Sequence, residues 1–277
     1  MGEARPARYM TDATRITSGL RGLDTTGVEV DEDQVPPIIA AGSAEEEGLY
    51  AQLEARLGAS IHTTREAKLM CLRGRKYDVD RAADLLPRHL ALRTKLREVI
   101  YDAGAQLRAD LQSRKIVCTG GKDDGGRAVV WLRLRYHEPR QSRPIDVGRL
   151  LVAVMLEALK HADVQRRGVV IVNDMSGLRL RNLDPAVPKY LFKEVLPAMP
   201  VRVGRICLLN PPWVLRTVIL PIAFMLMSKK LRARIVVLTN TDTLSEHVPA
   251  TALPTELGGT LPWDVAWATR MCAATYF

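Results

Sequence analysis

Residues 205–238 read RICLLNPPWVLRTVILPIAFMLMSKKLRARIVVL, and this stretch decides the predicted fold. Its two ends are rich in aliphatic and β-branched residues and predict strands at 203–209 and 234–238. The residues between them, 213–227, have the length and composition of a helix. Because a helix that joins two neighbouring strands places them parallel in one sheet, the stretch indicates a strand–helix–strand unit.

Upstream of this unit, the alternation of strands and helices continues back to residue 115. The run VVIVN, which ends at Asn173, is apolar enough to be buried on both faces, as in the centre of a parallel sheet. The motif GGKDDGG at 120–126 is typical of a hairpin turn, because no helix follows it to make a phosphate-binding loop. The predicted elements are strands at 115–119, 127–136 and 168–173 and helices at 147–161 and 185–196.

The segment before residue 110 has a different pattern, in which apolar residues recur at helical spacing. Helices are predicted at 45–58 and 64–72, and a third is expected to begin at the N-cap Asp78 and to kink at Pro87. Residues 1–43 carry scattered Gly, Pro, Thr and Asp, and we expect a mostly disordered leader there. The predicted organisation is a leader at 1–43, a helical subdomain at 44–100 and an α/β domain at 110–270.

The charge of the chain is unevenly distributed. The formal net charge of the 277 residues is +9, but residues 1–60 hold 5 basic and 11 acidic residues, whereas residues 61–277 hold 35 and 20. A folded body this basic attracts polyanions such as nucleic acid, anionic membranes or acidic proteins. Aromatic residues are only 5% of the chain and are not interleaved with the basic ones. The sequence therefore does not favour nucleic acid as the partner.

The most informative segment is 213–227, where only Arg216 and Thr217 interrupt an otherwise apolar helix. Such a helix must be buried, face a membrane or face an apolar ligand, and burial in the core is the simplest of these explanations. The basic run SKKLRAR at 228–234 follows directly. Cations beside an apolar helix suit a surface that meets an anionic bilayer, with the cations at the headgroups.

Several classes of protein do not fit the sequence. The apolar run at 217–227 is much shorter than the roughly 20 residues that a membrane-spanning helix needs. The first residues lack the apolar core of a signal peptide. The four cysteines form no Cys-x-x-Cys pair, which favours buried, reduced thiols in a cytoplasmic protein.

The sequence also offers little catalytic or metal-binding chemistry. It contains no GxxxxGK[ST], GxSxG or HExxH motif, and its five histidines are scattered. We therefore expect no catalytic residue, no metal and no cofactor. Asp174 stands at the end of a predicted strand, where carboxylates of α/β enzymes often act. One carboxylate without a partner motif is weak support for an enzyme.

Four segments form an ordered series along the chain. They are CLRGRKYDVDRAADLL at 71–86, GVVIVNDMSGL at 168–178, the strand–helix–strand unit at 205–238 and LPTELGGTL at 253–261. Together they resemble the signatures of the CRAL-TRIO (Sec14-like) lipid-binding family. The matching features are the end of a helical subdomain, the central strand and turn, the gate helix with its basic segment, and the closing motif. Four motifs in order are far more specific than any one of them.

The resemblance implies an α/β fold, in which an N-terminal helical bundle precedes a mainly parallel sheet whose helices enclose an apolar pocket. It also implies a non-enzymatic protein that binds one lipid or lipophilic ligand in a gated pocket, for transfer or sensing. Residues 115–139 and 241–259 are most similar to the lipid-binding domain of a non-receptor tyrosine phosphatase, although the chain has no Cys-x5-Arg phosphatase loop. The gate residues expected to face lipid are Trp213, Val214, Val218, Ile219, Ile222, Phe224 and Met225.

Some relatives that respond to phosphoinositides use a ring of cations near the pocket mouth. The matching positions of this chain are basic, which implies contacts to phosphorylated headgroups. The matching positions are Arg75, Arg202, Lys230 and Arg234. Lys76 joins the expected headgroup residues because it and Arg234 keep basic positions of the relatives that exchange phosphatidylinositol. Relatives that exchange phosphatidylinositol carry a carboxylate directly after the proline before the third main strand, whereas Val201 follows Pro200 here. We therefore do not expect inositol to be held in the same way.

Three hypotheses follow, and we favour the first. The chain binds a phospholipid or another lipophilic ligand and docks peripherally, from the cytoplasm, on anionic membranes or vesicles that contain phosphoinositides. Alternatively, it is an interaction module that targets a partner enzyme or small GTPase to vesicles. A third hypothesis is an α/β enzyme that uses Asp174 or the 120–126 loop.

Overall fold

The computed structural model describes residues 39–58, 61–98, 103–220, 224–225 and 229–261. All of them fall within one compact unit, Val35–Phe277. The prediction of a disordered leader concerns residues that lie almost entirely outside the described ranges. Of that segment, residues 39–43 are described, and they lead into the first helix through a turn.

Three helices with side-chain caps begin the described chain. Helix α1 is Ala44–Leu57, and the Ser43 hydroxyl accepts a hydrogen bond from the Glu46 N–H. Helix α2 is Arg65–Gly74 and is capped in the same way by Thr64. Helix α3 is Val79–Glu98, and the Asp78 carboxylate accepts from the Arg81 N–H. These caps satisfy amide donors that have no partner inside a helix, so the predicted starts at 45, 64 and 78 lie close to the observed ones.

The three helices pack around a small core of their own. Its fully buried members include Leu53, Cys71, Leu72, Leu85 and Leu86. Helix α3 runs through Pro87 without a break. A fourth helix, α4 at Ala103–Gln112, was not predicted and leads into the sheet.

The sheet has five strands in the order β1-β2-β3-β4-β5. Strand β1 is antiparallel to β2, and the other neighbouring pairs are parallel. The mainly parallel sheet and the helical N-terminal region agree with the predicted fold class. The strands are β1 Ile116–Lys122, β2 Ala128–Leu132, β3 Val169–Asp174, β4 Val203–Leu209 and β5 Ile235–Leu238.

Two predicted elements are shorter than expected. The strand predicted at 127–136 ends at Leu132, and Leu134–Tyr136 form a 3₁₀ turn in which the Tyr136 N–H donates to the Arg133 carbonyl. The helix predicted at 185–196 divides into α7 at Ala186–Tyr190, a π-helical turn and a 3₁₀ turn. In both regions the hydrophobic pattern continues beyond the residue at which the backbone leaves the strand or the α-helix.

The remaining helices cover the sheet or lead into its strands. Helix α5 is Pro144–Ala158 and begins earlier than predicted, because Pro144 suits the first turn and Asp146 accepts from the Arg143 N–H. Helix α6 is Ala162–Arg167, and the short helix α8 is Lys229–Arg232. The core of the α/β region is continuous from α5 across β2 and β3.

Candidate lipid-binding site

The two faces of the parallel part of the sheet differ in burial. Val170, Val172 and Cys207 lie on the face that packs into the core with α5, and all three are fully buried. The register pairs define the other face, which is only partly covered. We call it the gate-side face, and its residues are Ile171, Asn173, Ile206, Leu208, Ile235 and Val237.

A segment that crosses the gate-side face contributes to a separate apolar cluster. Leu215 and Leu220 belong to this segment, and they pack with Met175 and Leu208. We call residues 213–225 the gate segment, of which 213–220 and 224–225 are described. Its backbone is helical with a π-helical turn at Leu215–Ile219. The described part of this segment is thus helical, as predicted for residues 213–227.

The gate segment also presents apolar side chains to solvent. Trp213 is 67% exposed, Val214 is 42% exposed and Met225 is 82% exposed. Phe224 is half-buried. Large apolar groups at the surface of a folded protein are usual where it meets a membrane, a ligand or a partner. Ile222 and the side chains of Val218 and Ile219 lie outside the described residues.

The N-terminal ends of the parallel strands form an edge that carries arginines. Arg202 directly precedes β4, and Arg234 directly precedes β5. Arg127 directly precedes β2, and Arg167 stands two residues before β3. Because neighbouring parallel strands start at the same edge of a sheet, these four residues share one side of the domain. Arg127 and Arg167 were not among the predicted site residues, although arginine recurs at or directly before the start of each predicted parallel strand.

The end of α2 meets the same edge. A Cβ atom at Gly74 would lie 2.4 Å from the Pro200 carbonyl oxygen, so this close approach requires glycine. It brings Arg75 to the Pro197 carbonyl oxygen, with an Nη2–O distance of 3.5 Å. The Arg202 guanidinium donates to the Arg73 carbonyl oxygen. The structure therefore brings together Arg75 and Arg202, which are far apart in sequence.

Arg234 joins this group through β4. Its Nη1 donates to the Val203 carbonyl oxygen at 2.6 Å, beside Arg202. We call Arg75, Arg202 and Arg234 the edge cations. Among the described residues, none of the edge cations forms an ion pair with a carboxylate.

The electrostatic environment of the edge cations disfavours their charge. Burial lowers the pKa of Arg202 to about 10. Burial also lowers the pKa of Arg75, with Arg81 and Arg88 adding repulsion, and it lowers the pKa of Arg234, with repulsion from Arg127. All three side chains are half-buried and remain within reach of solvent. An anion at this edge would relieve both the desolvation and the repulsion.

The two lysines among the predicted headgroup residues are Lys76 and Lys230, and no described side-chain contact joins either one to the edge cations. Lys76 is exposed and has a φ of 59°, followed by Tyr77 with a φ of 62°. The Tyr77 hydroxyl donates to the Glu46 carboxylate at 2.8 Å, which ties this left-handed turn to α1. The backbone of Lys230 lies in α8, and its side chain lies outside the described residues.

A buried ion pair between α1 and α2, which we call the junction pair, also contacts the α/β region through its arginine. Arg73 donates to both oxygens of Glu46, each at 2.7 Å, and to the Gln165 side chain of α6 at 2.7 Å. Burial alone would raise the pKa of Glu46, but hydrogen bonds from Arg73, the Gly42 N–H and Tyr77 outweigh it and lower the pKa to about 2. This network was not predicted from the sequence, and it holds the end of α2 that leads into Arg75.

The Asp174 carboxylate is held in place by an arginine and a backbone amide. It accepts from Arg135 Nη1 at 2.7 Å and from the Ser176 N–H at 3.0 Å, and the residue is buried. It lies at the C-terminal end of β3, opposite the arginine edge. The two oxygens thus hold the turn that follows β3, and these contacts do not favour the enzyme hypothesis.

Three of the four cysteines lie within the described ranges. Cys71, Cys118 and Cys207 are free and buried, and burial raises the pKa of the Cys71 thiol to about 12 and that of Cys207 to about 11. Cys272 lies outside the described residues. In the part of the chain that is described, no three His, Cys, Asp or Glu side chains converge as metal ligands would. No described helix combines the length and hydropathy needed to cross a membrane.

Comparisons with known proteins agree with this architecture. The CRAL/TRIO domain matches residues 112–259. The chain therefore belongs to the CRAL/TRIO domain family, a family of lipid-binding and lipid-transfer domains. A tyrosine phosphatase is among the similar proteins, as the resemblance of residues 115–139 and 241–259 predicted.

Curated relatives cover most of the chain. Tyrosine-protein phosphatase non-receptor type 9 of Mus musculus is 29% identical over 198 residues, which are 70% of this chain and 33% of that protein. Clavesin-1 of Xenopus laevis is 25% identical over 224 residues, which are 75% of this chain and 65% of that protein. The chain thus spans about a third of the length of the phosphatase relatives it matches.

A solved structure shows the same fold. The crystal structure of Sfh5 aligns with a TM-score of 0.52 at 13% identity, covering 86% of this chain and 94% of that chain. At this identity the likeness concerns the fold alone. The helical N-terminal region and the five-stranded sheet are thus an arrangement already known as a Sec14-like fold.

Proposed function

We propose that the chain binds one lipid or lipophilic ligand between the gate segment and the gate-side face, and that it docks on anionic membranes that contain phosphoinositides. The observation that carries the proposal is the half-covered apolar sheet face beneath a segment with exposed Trp213 and Met225. In this scheme the protein works in the cytoplasm, associates peripherally with membranes or vesicles, and transfers or senses its ligand.

The energetics favour a ligand with a long apolar portion. Apolar surface that leaves water contributes roughly 25 cal/mol per Å², so an acyl or isoprenoid chain gains several kcal/mol on entering the site. The same gain keeps the ligand out of the cytosol. Exchange then requires the gate segment to open, with Trp213, Val214, Phe224 and Met225 entering the bilayer interface.

The headgroup contacts are proposed for the edge cations together with Lys76 and Lys230. Arginine binds phosphate oxygens in a bidentate geometry, and the edge cations have no carboxylate partner among the described residues. Cations close to an anionic leaflet contribute about 1 kcal/mol each. High salt should therefore weaken docking, but the bound lipid should stay in place.

The ligand is tested by native mass spectrometry and lipid extraction on the full chain purified from cells. We expect one lipid per chain, retained at high salt. If the protein carries no lipid and takes none from mixed liposomes, the transfer proposal is wrong. A partner-targeting module would then be the better explanation, and binding of the partner would not depend on lipid.

The role of the gate segment is tested with vesicles of phosphatidylcholine, phosphatidylserine and a phosphoinositide. We expect Trp213→Ser combined with Met225→Ser to slow lipid exchange between vesicles at least about tenfold, because two interfacial apolar anchors are lost. A matched control is Leu180→Ser, which changes another side chain that is 74% exposed and lies outside the gate segment. Equal exchange rates in the wild type and the double variant would contradict the proposed gate.

A further inference from the structure

The gate-side face contains one polar side chain. Register pairs place Asn173 in one row with Leu208 and Val237, and the neighbouring row is Ile171, Ile206 and Ile235. The amide of Asn173 is therefore surrounded on this face by aliphatic side chains of its own strand and of the strands that follow. An asparagine is unusual in this setting, because it is depleted from strands and costly to bury.

The Asn173 amide has an unmet hydrogen-bonding requirement. Its Oδ1 atom is buried and has no hydrogen-bond partner among the residues that the structure describes. Buried polar atoms in folded proteins are nearly always paired, and an unpaired one is destabilising. The aliphatic neighbours in both rows offer no side-chain donor. No donor is found among the described neighbours, and a molecule that enters the site can supply one.

The chemistry of the amide narrows the class of that molecule. An asparagine side chain presents one acceptor oxygen and one donor NH₂ group in the same plane. A hydroxyl group both donates and accepts, so it matches either group of the amide. An alkyl chain matches neither, and an ether or ester oxygen cannot donate to Oδ1. Among the oxygen groups of neutral lipids, a hydroxyl is therefore the one that can donate to Oδ1.

We infer that Asn173 selects lipids that carry a hydroxyl group on the part that reaches the gate-side face, over lipids that are purely hydrocarbon or ether there. This inference rests on the proposed function, because it assumes that the gate-side face holds the ligand. Asn173 is then a specificity-determining residue, whereas the edge cations recognise the membrane at the N-terminal ends of the strands. The two recognition events use different chemistry and different ends of the domain.

The inference is tested with two probes that differ only in the donor, 1-hexadecanol and its methyl ether. The delipidated full chain is incubated with neutral phosphatidylcholine vesicles that contain equal amounts of both. Bound probes are then extracted and measured by mass spectrometry. Because one buried hydrogen bond is at stake, we expect the wild type to take up the alcohol about tenfold more than the ether.

Two variants separate recognition from folding. Asn173→Leu should reduce the ratio of alcohol to ether to about one and raise the melting temperature of the lipid-free protein, because it removes an unpaired buried oxygen. Asn173→Thr keeps a hydroxyl on the strand and should retain a preference for the alcohol. The matched control is Gln52→Leu, which removes an exposed amide of α1 and should leave the tenfold ratio unchanged.

The outcomes distinguish this inference from the proposed function. Equal uptake of both probes by the wild type would overturn the role of Asn173 and leave lipid binding intact. An unchanged preference in Asn173→Leu would also overturn it. If Asn173→Leu does not fold, the alcohol-to-ether ratios of the wild type and of Asn173→Thr still test the inference. If the wild type takes up neither probe and carries no lipid after purification, the proposed function itself is refuted.

Discussion

Two groups of arginines in this protein differ in their partners, and the difference separates structure from proposed function. At the junction of the helical subdomain, Arg73 holds Glu46 in a buried pair, and at the end of β3 Arg135 holds Asp174. At the N-terminal edge of the strands, Arg75, Arg202 and Arg234 donate to backbone carbonyls. A cation with an internal carboxylate is committed to the fold, whereas a half-buried cation that lacks one can bind an external anion.

The pKa directions follow the same division. The hydrogen bonds that Arg73 donates to Glu46 raise the pKa of Arg73, whereas burial lowers the pKa values of Arg75, Arg202 and Arg234. A raised pKa means that the surroundings stabilise the cation, and a lowered one means that they destabilise it. Burying the edge cations is thus unfavourable in the absence of a ligand, and an anionic lipid can offset that unfavourable free energy.

The largest expected effect comes from breaking the junction pair. Glu46→Ala leaves the Arg73 guanidinium buried without its carboxylate, and we expect the free energy of unfolding to fall by about 3–5 kcal/mol. Urea denaturation followed by circular dichroism measures this change. The matched control is Glu54→Ala, which removes an exposed carboxylate of the same helix and should cost under about 1 kcal/mol. Similar losses in both variants would mean that the junction pair is not a structural anchor.

The second effect is the acid sensitivity of the same pair. The folded-state pKa of Glu46 is about 2, below the value of about 4.3 in an unfolded chain. Its contribution to stability is therefore complete above pH about 4.5 and is lost as the pH falls towards 2, by about 3 kcal/mol. The difference in unfolding free energy between the wild type and Glu46→Gln isolates this contribution. A difference that does not change between pH 5 and 2.5 would contradict the assignment.

The third effect concerns membrane docking by the edge cations. Replacing Arg75, Arg202 and Arg234 together by Gln should weaken binding to phosphoinositide vesicles about 100-fold at low salt, since each cation contributes about 1 kcal/mol. Vesicle sedimentation measures the affinity. A triple variant of the exposed Arg56, Arg108 and Arg140 has the same net charge and is the matched control. If both triple variants lose affinity equally, the attraction is non-specific and the edge is not a headgroup site.

The smallest expected effect is the change in stability when one edge cation is neutralised. Arg202→Gln keeps a donor for the Arg73 carbonyl oxygen and removes an unpaired, half-buried charge. We expect the free energy of unfolding to stay within about 1 kcal/mol of the wild type, in contrast to Glu46→Ala. A loss as large as that of Glu46→Ala would place Arg202 among the structural arginines.

Much of the fold could be predicted from local patterns. The strand at 203–209 is observed with the predicted bounds, and the predicted N-cap Asp78 begins its helix. The helix predicted to start at Thr64 starts one residue later, with Thr64 as its cap. These features depend on residues that are neighbours in sequence. The strand predicted at 127–136 was too long, because the pattern does not reveal that the backbone turns after Leu132 to form the Leu134–Tyr136 turn.

The site was only partly predictable for the same reason. The resemblance identified Arg75, Arg202 and Arg234 as basic positions, but not Arg127 and Arg167 at the same edge. Asn173 appeared in the sequence only as the end of an apolar strand. Its unpaired oxygen becomes evident when the register sets its neighbours on the adjacent strands.

The alternation of strands and helices, the excess of basic residues after residue 60 and the membership of a lipid-binding family are all evident from the amino-acid order. Hydrophobic periodicity, capping residues and charge are local properties, so one chain read in order is enough to reveal them. The tertiary structure alone decided which arginines have a carboxylate partner and which face of the sheet is half-covered. Partners such as Glu46 and Arg73 are 27 residues apart along the chain, and only the packing of the helices determines that they meet.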